Sequence, residues 1–368
     1  MRDIEVKLRA GMTRNGIAPD AQEQIIDSIT SFALYGFPES HSASFALLAY
    51  ASAYLKTHYL AAFTAALLNN QPMGFYHPST IVKDAQRHGL KVRPVDVTRS
   101  EWGCTIEQST VDSLRSTAVD HRPSTVDVSV RLGLRYVRGL RGEAARALVR
   151  ERQQRPFESI TDVARRVPEL RRTELETLAE IGALNSVPSP ESRLKLHRRD
   201  ALWQVASASR GEGPLLRGVP EPDRASPLPA MDREERLVAD FRGTGLTIGP
   251  HPMAYRRAEL KAQGIRSAAE LEKVPNGQWV RAAGCVIARQ RPGTARGFLF
   301  LSLEDETGIA NAIVTPDLFE QNRLLLVGEK FLLIEGVLQN LDNVISVKAQ
   351  RVLPLPVTEA ETRSHDFH

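Results

Sequence analysis

Residues 277–349 read GQWVRAAGCVIARQRPGTARGFLFLSLEDETGIANAIVTPDLFEQNRLLLVGEKFLLIEGVLQNLDNVISVKA. Apolar residues alternate with polar or small residues in five short segments, which is the pattern of half-buried strands. One helical segment precedes the fourth strand, which is the order that an OB-fold uses. The stretch therefore predicts a small closed barrel of the kind that binds nucleic acid strands. The predicted strands are 279–287, 298–303, 309–314, 330–338 and 344–349, and the predicted helical segment is 316–322.

The loop between the first two predicted strands is strongly basic. Residues 289–297, which we call the arginine loop, contain Arg289, Arg291 and Arg296 and no acidic residue. Because guanidinium groups suit phosphate contacts, we expect these arginines to bind DNA and to contribute little to the stability of the barrel. A solvated hairpin loop is the alternative. We favour the arginines over nearby aromatic residues, since aromatic residues at period two more often fill a core. Those aromatic residues are Trp279, Phe298 and Phe300.

The bulk composition is that of a folded chain of several units. A length of 368 residues suits two to four compact units, and 42% hydrophobic with 25% charged residues excludes a disordered chain. The net charge of +4 is by itself a weak sign of nucleic-acid binding. Two cysteines distant in sequence exclude a disulfide framework and a CxxC zinc site, and fit a reducing cytoplasm. No apolar run approaches the ~18 residues of a membrane span, so we expect no membrane contact.

The first ninety residues predict helices, at 21–34, 42–55, 60–68 and 78–89. The second of these is apolar on nearly every face, so we expect it to be buried on several sides. Ser40 is a suitable N-cap for it. A strand follows at 91–97, and residues 107–125 predict a surface excursion within a hairpin whose return strand is 126–136.

A glycine turn separates two helical stretches near the middle of the chain. Gly139 and Gly142 flank Leu140 and Arg141, and Arg138 precedes them. Such a turn at the start of a helix presents backbone N–H groups to a phosphate, as in a helix-hairpin-helix unit. An ordinary turn between helices is the alternative. The second helical pair, 159–184, lacks the glycine turn, and we interpret it as structural.

Several catalytic patterns are missing from the sequence. Metal-dependent nucleotidyl transfer needs carboxylates that converge on Mg²⁺, yet no two aspartates lie two positions apart. Glu304-Asp305-Glu306 is acidic but falls in a predicted hairpin turn. We find no Walker lysine loop, no Gly-x-Ser-x-Gly and no His-Glu-x-x-His motif.

Specific segments of the sequence resemble the bacterial C-family DNA polymerases. YGFPESHSASFALL at 35–48, YLKTHY at 54–59 and AALLN at 65–69 are similar to the replicative polymerase III alpha subunits and their error-prone relatives. NQPMGFY at 70–76, RQRPGTA at 289–295, LEDETGIAN at 303–311 and the ending SHDFH look like the error-prone, ImuC-type branch. The resemblance covers nearly the whole chain.

The resemblance implies the C-terminal part of such an enzyme. The palm with its catalytic aspartates would lie before Met1, so we expect no catalytic residue and no cofactor in this chain, and Mg²⁺ would belong to the palm. Ser40, His41 and Lys56 would belong to the fingers near the nascent base pair. Arg141 stands where the family's hairpin has its second glycine, so the turn departs from the family's Gly-x-Gly phosphate site.

The resemblance also implies partners. DNA is the first, as a single strand or a primer-template. Replicative members carry a clamp-binding peptide between the hairpins and the barrel, and we find none in 186–270. The error-prone branch is expected to reach the sliding clamp through an adapter protein of the mutasome.

Together these features predict a multidomain α+β fold. It comprises a helical fingers remnant at 1–104, a hairpin excursion at 105–132, a tandem helix-hairpin-helix at 133–190, a linker with helices at 191–268, an OB-fold at 269–355 and a disordered tail at 356–368. The expected function is DNA binding within an error-prone, translesion DNA polymerase, without activity of this chain alone. Two alternatives stay open: one chain of a split active polymerase, and a protein-interaction module of the mutasome.

Overall fold

The computed structural model describes residues 2–34, 39–74, 76–108, 128–188, 196–208, 226–227, 229–341, 344–356 and 365–367. Contacts divide the chain into two compact units, Met1–Tyr59 and Leu60–His368. Among the described residues, no helix is long and apolar enough to cross a membrane.

The first unit consists of three helices, α1 (Arg2–Arg14), α2 (Pro19–Leu34) and α3 (Glu39–His58). Met12 of α1 and Ile26 of α2 are buried. Helix α3 forms as predicted, but the expectation that it is buried is wrong for its described side chains. Phe45, Leu47, Leu48 and Tyr50 are 59–72% exposed. The sequence pattern shows that a helix is apolar all round, but it cannot show what covers the helix.

The second unit begins with a helical and β-sheet layer. It comprises α4 (Leu60–Asn69), α5 (Pro78–Arg87) and the strands β1 (Lys91–Arg93), β2 (Thr105–Gln108) and β3 (Val128–Arg131). The strand order is β1-β3-β2, with β1 parallel and β2 antiparallel to β3. The antiparallel pair confirms the predicted hairpin, while residues 109–125 of its predicted excursion lie outside the described residues.

Helices pack on this layer to form the largest apolar core of the chain. The predicted glycine turn lies between a 3₁₀ helix, Leu134–Tyr136, and α6 (Gly142–Gln154). The core contains Leu134, Leu148, Ile160 and Leu178, all fully buried. We call this part of the unit, residues 60–246, the helical body. Its remaining helices are α7 (Ile160–Arg166), α8 (Arg172–Glu180), α9 (Arg198–Ala208) and α10 (Arg233–Thr244).

The predicted barrel is present and closed. Strand order β5-β6-β8-β7-β4, with β4 also paired to β5, joins the two edges of the sheet. Strands β6 and β8 run parallel and the other neighbours run antiparallel. This order confirms the OB-fold. Two helices precede it, α11 (Arg257–Ala262) and α12 (Ala268–Leu271). Its own elements are β4 (Trp279–Gln290), β5 (Leu299–Glu304), β6 (Ile309–Val314), α13 (Pro316–Gln321), α14 (Arg323–Gly328), β7 (Phe331–Leu341) and β8 (Val344–Pro354).

The tail differs from the predicted disorder at its end. Residues His365–Phe367 form β9, which pairs in parallel with Ala288–Gln290 of β4. Pairing of β4 with β7 stops at Cys285, so the last residues of β4 leave an edge to which another strand can hydrogen-bond. Residues 357–364, also in the predicted tail, lie outside the described residues.

One outer face of the barrel is covered and another is open. Ala283 and Cys285 of β4 pack with Phe331 and Leu333 of β7 against Met253, Leu260 and Ile265, which precede the barrel. Strands β5, β6 and β8 instead carry exposed or half-exposed residues at alternate positions. We call the outward side of these three strands the open face.

Candidate nucleic-acid interface

The glycine turn has the local geometry that phosphate binding requires. Gly139 has φ +79°, a left-handed conformation that favours glycine, and nothing lies within 4 Å of where its Cβ would be. Arg141 is the N-cap of α6 and places no side-chain cap on it. The first N–H groups of a helix have no intrahelical acceptors, so the amides of Gly142 and Glu143 can face an anion.

The two arginines of this turn both have partners within the protein. The Nε and Nη2 of Arg141 each donate to Glu174, over 3.0 Å, and its main-chain N–H donates to the same carboxylate over 2.9 Å. The main-chain N–H of Arg138 donates to the carbonyl of Gly243 over 2.7 Å, and its Nη1 to the carbonyl of Arg242 over 3.3 Å. These carbonyls end α10, where a positive charge is favourable.

Glu174 therefore links the two helical pairs. Besides Arg141, it accepts a hydrogen bond of 2.7 Å from the main-chain N–H of Arg171 at the start of α8. Burial raises the pKa of this carboxyl, but the hydrogen bonds and charge of Arg141 and the two amides outweigh burial, so the pKa lies below its usual range. The second pair thus supports the turn of the first.

Trp102 and Arg146 lie near the turn, and of these two Trp102 could not be predicted from the local sequence. A Cβ on Gly142 would lie 3.8 Å from the ring of Trp102 and 3.4 Å from the guanidinium of Arg146. Both side chains are exposed. Trp102 offers a ring and Arg146 a charge beside the start of α6. Trp102 precedes the turn by almost forty residues, so only the fold reveals their proximity.

The structure separates the three arginines of the arginine loop. Arg289 is only 6% exposed, belongs to β4, and donates to the carbonyls of Leu326 and Glu329. The guanidinium of Arg291 lies 4.1 Å from the ring centre of Phe319 and 3.3 Å from Glu320. Arg296 is exposed at φ +50° and has no recorded ion pair within the described part of the chain.

Arg289 therefore has a structural role in the barrel, contrary to the expectation that it contributes little to the barrel's stability. The first strand is longer than its alternation suggested and runs through Arg289 to Gln290. Its guanidinium satisfies carbonyls at the C-terminal end of α14 and just beyond it, which would otherwise lack partners. Of the loop, Arg296 presents its charge most directly to solvent.

The open face places apolar, amide and basic groups in register. Phe300 of β5 lies opposite Ile313 of β6, which lies opposite Lys348 of β8. Phe300 is 37% exposed, and Lys348 is exposed. In the neighbouring row, Ser302 and Asn311 lie opposite each other and are hydrogen-bonded over 3.2 Å. An aromatic ring with a cation two strands away on one barrel face suits stacking with a base and contact with a phosphate.

The residues assigned to the fingers by resemblance all lie on α3. His41 is exposed, with its ring centre 4.5 Å from that of Phe45, and Lys56 is half-buried. The side chain of Ser40 lies outside the described residues. A rise of 1.5 Å per residue puts Lys56 roughly 22 Å along the helix from His41, so one small ligand cannot touch both.

Within the described ranges, no group of three or more His, Cys, Asp or Glu side chains could hold a metal ion. Asp305 and Glu306 lie in the predicted turn, while Glu304 is the last residue of β5. Asp305 accepts hydrogen bonds from the N–H groups of Thr307 and Gly308 over 2.7 and 3.0 Å.

Comparison with known proteins agrees with this architecture. Residues 89–196 match the family described as helix-hairpin-helix motif, and residues 279–355 match the OB-fold nucleic acid binding domain. The solved structure of asparaginyl-tRNA synthetase from Pyrococcus horikoshii is 22% identical, with a TM-score of 0.22, over 26% of this chain and 23% of that one.

The similar curated proteins are named error-prone DNA polymerase. That of Azoarcus sp. (strain BH72) is 44% identical over 364 residues, which is 98% of this chain and 32% of the relative. That of Pseudomonas savastanoi pv. phaseolicola is 42% identical over 98% of this chain and 33% of the relative. That of Anaeromyxobacter sp. (strain K) is 43% identical over 99% of this chain and 31% of the relative. The chain thus spans about a third of the length of these relatives.

The fold and the two family matches define a multidomain α+β chain of the nucleic-acid-binding class. Its sequence places it more narrowly. Nearly its whole length is similar to error-prone DNA polymerases, and the two family matches fit a C-terminal portion of such a protein, which confirms the resemblance.

Proposed function

We propose that this chain is the DNA-binding C-terminal region of an error-prone polymerase that acts in translesion synthesis and damage-induced mutagenesis in the cytoplasm. The open face of the barrel carries the proposal. It combines the exposed ring of Phe300 with the exposed Lys348 two strands away, in a domain that matches a nucleic-acid-binding family. A single strand that crosses this face meets both a stacking surface and a phosphate contact.

The glycine turn supplies the second contact in this proposal. The amides at the start of α6 bind a backbone phosphate, and Arg146 and Arg138 add charge beside them. Such contacts position DNA without reading its sequence, so binding is salt-sensitive and indifferent to sequence.

Fluorescence anisotropy with a labelled single-stranded oligonucleotide tests the open face. Phe300→Ala should weaken binding by about fivefold or more, since stacking contributes about 1–3 kcal/mol per base. Lys348→Ala and Arg296→Ala should each lower the salt slope by about 0.7. Lys261→Ala, an exposed lysine on α11 beside the covered face, is the matched control and should leave both quantities unchanged. Parental binding of all four variants would overturn the proposed role of the open face.

We also propose that the catalytic palm and its Mg²⁺ ions lie outside this chain. The sequence has no Asp-x-Asp pair, and the chain spans only a third of its relatives. Purified chain on a primed template, with Mg²⁺ or Mn²⁺, should therefore incorporate no nucleotide. Primer extension that co-purifies with the chain would contradict this.

Two other functions are candidates. The chain could be one subunit of a polymerase divided between two chains. It could instead be a module that binds a mutasome adapter and, through it, the sliding clamp. The exposed apolar side chains of α3 favour such an assembly, because exposed apolar patches mark interaction surfaces. A reading frame for a palm next to this gene would favour the divided polymerase.

A further inference from the structure

The helical body and the barrel meet at a buried ion pair. Glu304, the last residue of β5, is 3% exposed. Its Oε1 accepts a hydrogen bond of 2.8 Å from Nη2 of Arg87, and its Oε2 accepts one of 3.3 Å from the hydroxyl of Thr80. Both partners belong to α5, which packs in the core of the helical body through Val82 and Ala85.

Other polar contacts surround this pair. Lys83 of α5 donates to the carbonyl of Gly249, and Nε2 of Gln86 donates to that of Ile248 over 2.8 Å. Nε2 of His251 lies 3.9 Å from Glu304. Burial lowers the pKa of His251 to about 3, so this ring is neutral at pH 7 and acts as a polar neighbour.

The turn after Glu304 is fixed to the segment before the barrel. Arg257 pairs with Asp305 over 3.0 Å and also with Glu306, and the N–H of Ala268 donates to Asp305 over 2.8 Å. The acidic turn thus has a role that its sequence did not reveal: it attaches the barrel to its neighbours.

The place of this ion pair in the fold explains why charged side chains, and not apolar ones, make the contact. The core of the helical body and the interior of the barrel are separate apolar clusters. A buried ion pair adds little net stability, because desolvation offsets much of the attraction, but it fixes geometry. The directional contacts of Glu304 and Arg87 define one arrangement of the helical body and the barrel, whereas an apolar contact between them could slide.

We propose that Glu304 and Arg87 are positioning residues that hold the glycine turn and the open face as one composite DNA site. The inference rests on the proposed function. When the two sites are held rigidly, a DNA bound at one site meets the other at a high effective concentration. It therefore binds the two sites together more tightly than either site alone. In a loosened arrangement each site binds almost independently.

The test compares three DNAs: an eight-nucleotide single strand, a short blunt duplex, and a duplex with a single-stranded overhang. Glu304→Gln and Arg87→Ala should bind the overhang DNA about tenfold more weakly than the parent, because effective concentration is lost. Binding of the eight-nucleotide strand and the blunt duplex should change less than twofold. Glu259→Gln, the same change at the exposed Glu259 of α11, which pairs with Arg256 just before that helix, is the control and should match the parent on all three.

A distance measurement makes the test independent of DNA. Spin labels at Glu176→Cys on α8 and Gln350→Cys on β8 should give a narrow distance distribution in the parent and a broader one with Glu304→Gln. Unchanged overhang binding and an unchanged distribution would overturn the positioning role. Equal losses on all three DNAs would overturn it too, since they would show that Glu304 only stabilises the fold. If the parent binds none of the three DNAs, the proposed function itself fails, and this inference with it.

Discussion

The guanidinium of Arg289 lies at the end of β4, where it hydrogen-bonds two carbonyls in and after α14. Replacing Arg289 by Ala leaves both carbonyls without this donor. We expect Arg289→Ala to lower the free energy of unfolding by about 2–4 kcal/mol, since hydrogen bonds from charged groups contribute about 1.5–3 kcal/mol each. Urea unfolding followed by circular dichroism measures this.

The neighbouring arginine provides the comparison. Arg296→Ala removes an exposed side chain, so its effect on stability should stay within about 0.5 kcal/mol. If the two variants were equally stable, the structural place of Arg289 would be refuted.

Glu174 predicts a dependence of stability on pH. Its folded pKa is below its usual range, so its contribution is fully present above the unfolded value, about 4.3, and is lost as the pH falls through the folded pKa. Glu174→Gln should therefore destabilise the chain less at pH 3 than at pH 7. Thermal melts at both values, with Glu176→Gln on the exposed side of α8 as control, test this. A pH-independent loss in Glu174→Gln would contradict the assignment.

At the scale of elements, the strands of the barrel could be predicted from the sequence, but what packs against several other elements could not. Alternation and turn residues specify strands such as β5 and β6 locally. The strand β9 depends on an edge that β7 leaves unpaired some eighty residues earlier, so three residues of sequence cannot predict it. The exposure of α3 and the approach of Trp102 to Gly142 are likewise properties of packing. For the same reason the sequence predicted the glycine turn but not the role of Glu174.

The pairing of β9 can be tested through the backbone. Asp366→Pro removes an N–H and should disrupt the strand. Amide hydrogen exchange in the segment 288–290 should then accelerate, while exchange in 279–285, which pairs with β7, should not change. Unaltered exchange at 288–290 would show that β9 does not protect this edge.

At the scale of the whole molecule, the helical body and the barrel have separate cores with a polar contact between them. We expect them to unfold together in the parent and separately in Glu304→Gln, with the barrel opening first. Hydrogen exchange in α6 and in β7 at increasing urea measures the two midpoints. Glu259→Gln should keep the midpoints together, and coincident midpoints in Glu304→Gln would count against coupling through this residue.

The pair of Arg87 and Glu304 also has a consequence during synthesis of the chain. The two residues are 217 positions apart. At about 5–20 residues per second, α5 is made roughly 10–45 s before its carboxylate partner. The helical body can therefore assemble while the cationic end of α5 still faces water, and Glu304 can bind that end only after β5 has been made. A ribosome that stalls before β5 would release a chain whose helical body is folded but whose Arg87 has no carboxylate of the barrel to bind.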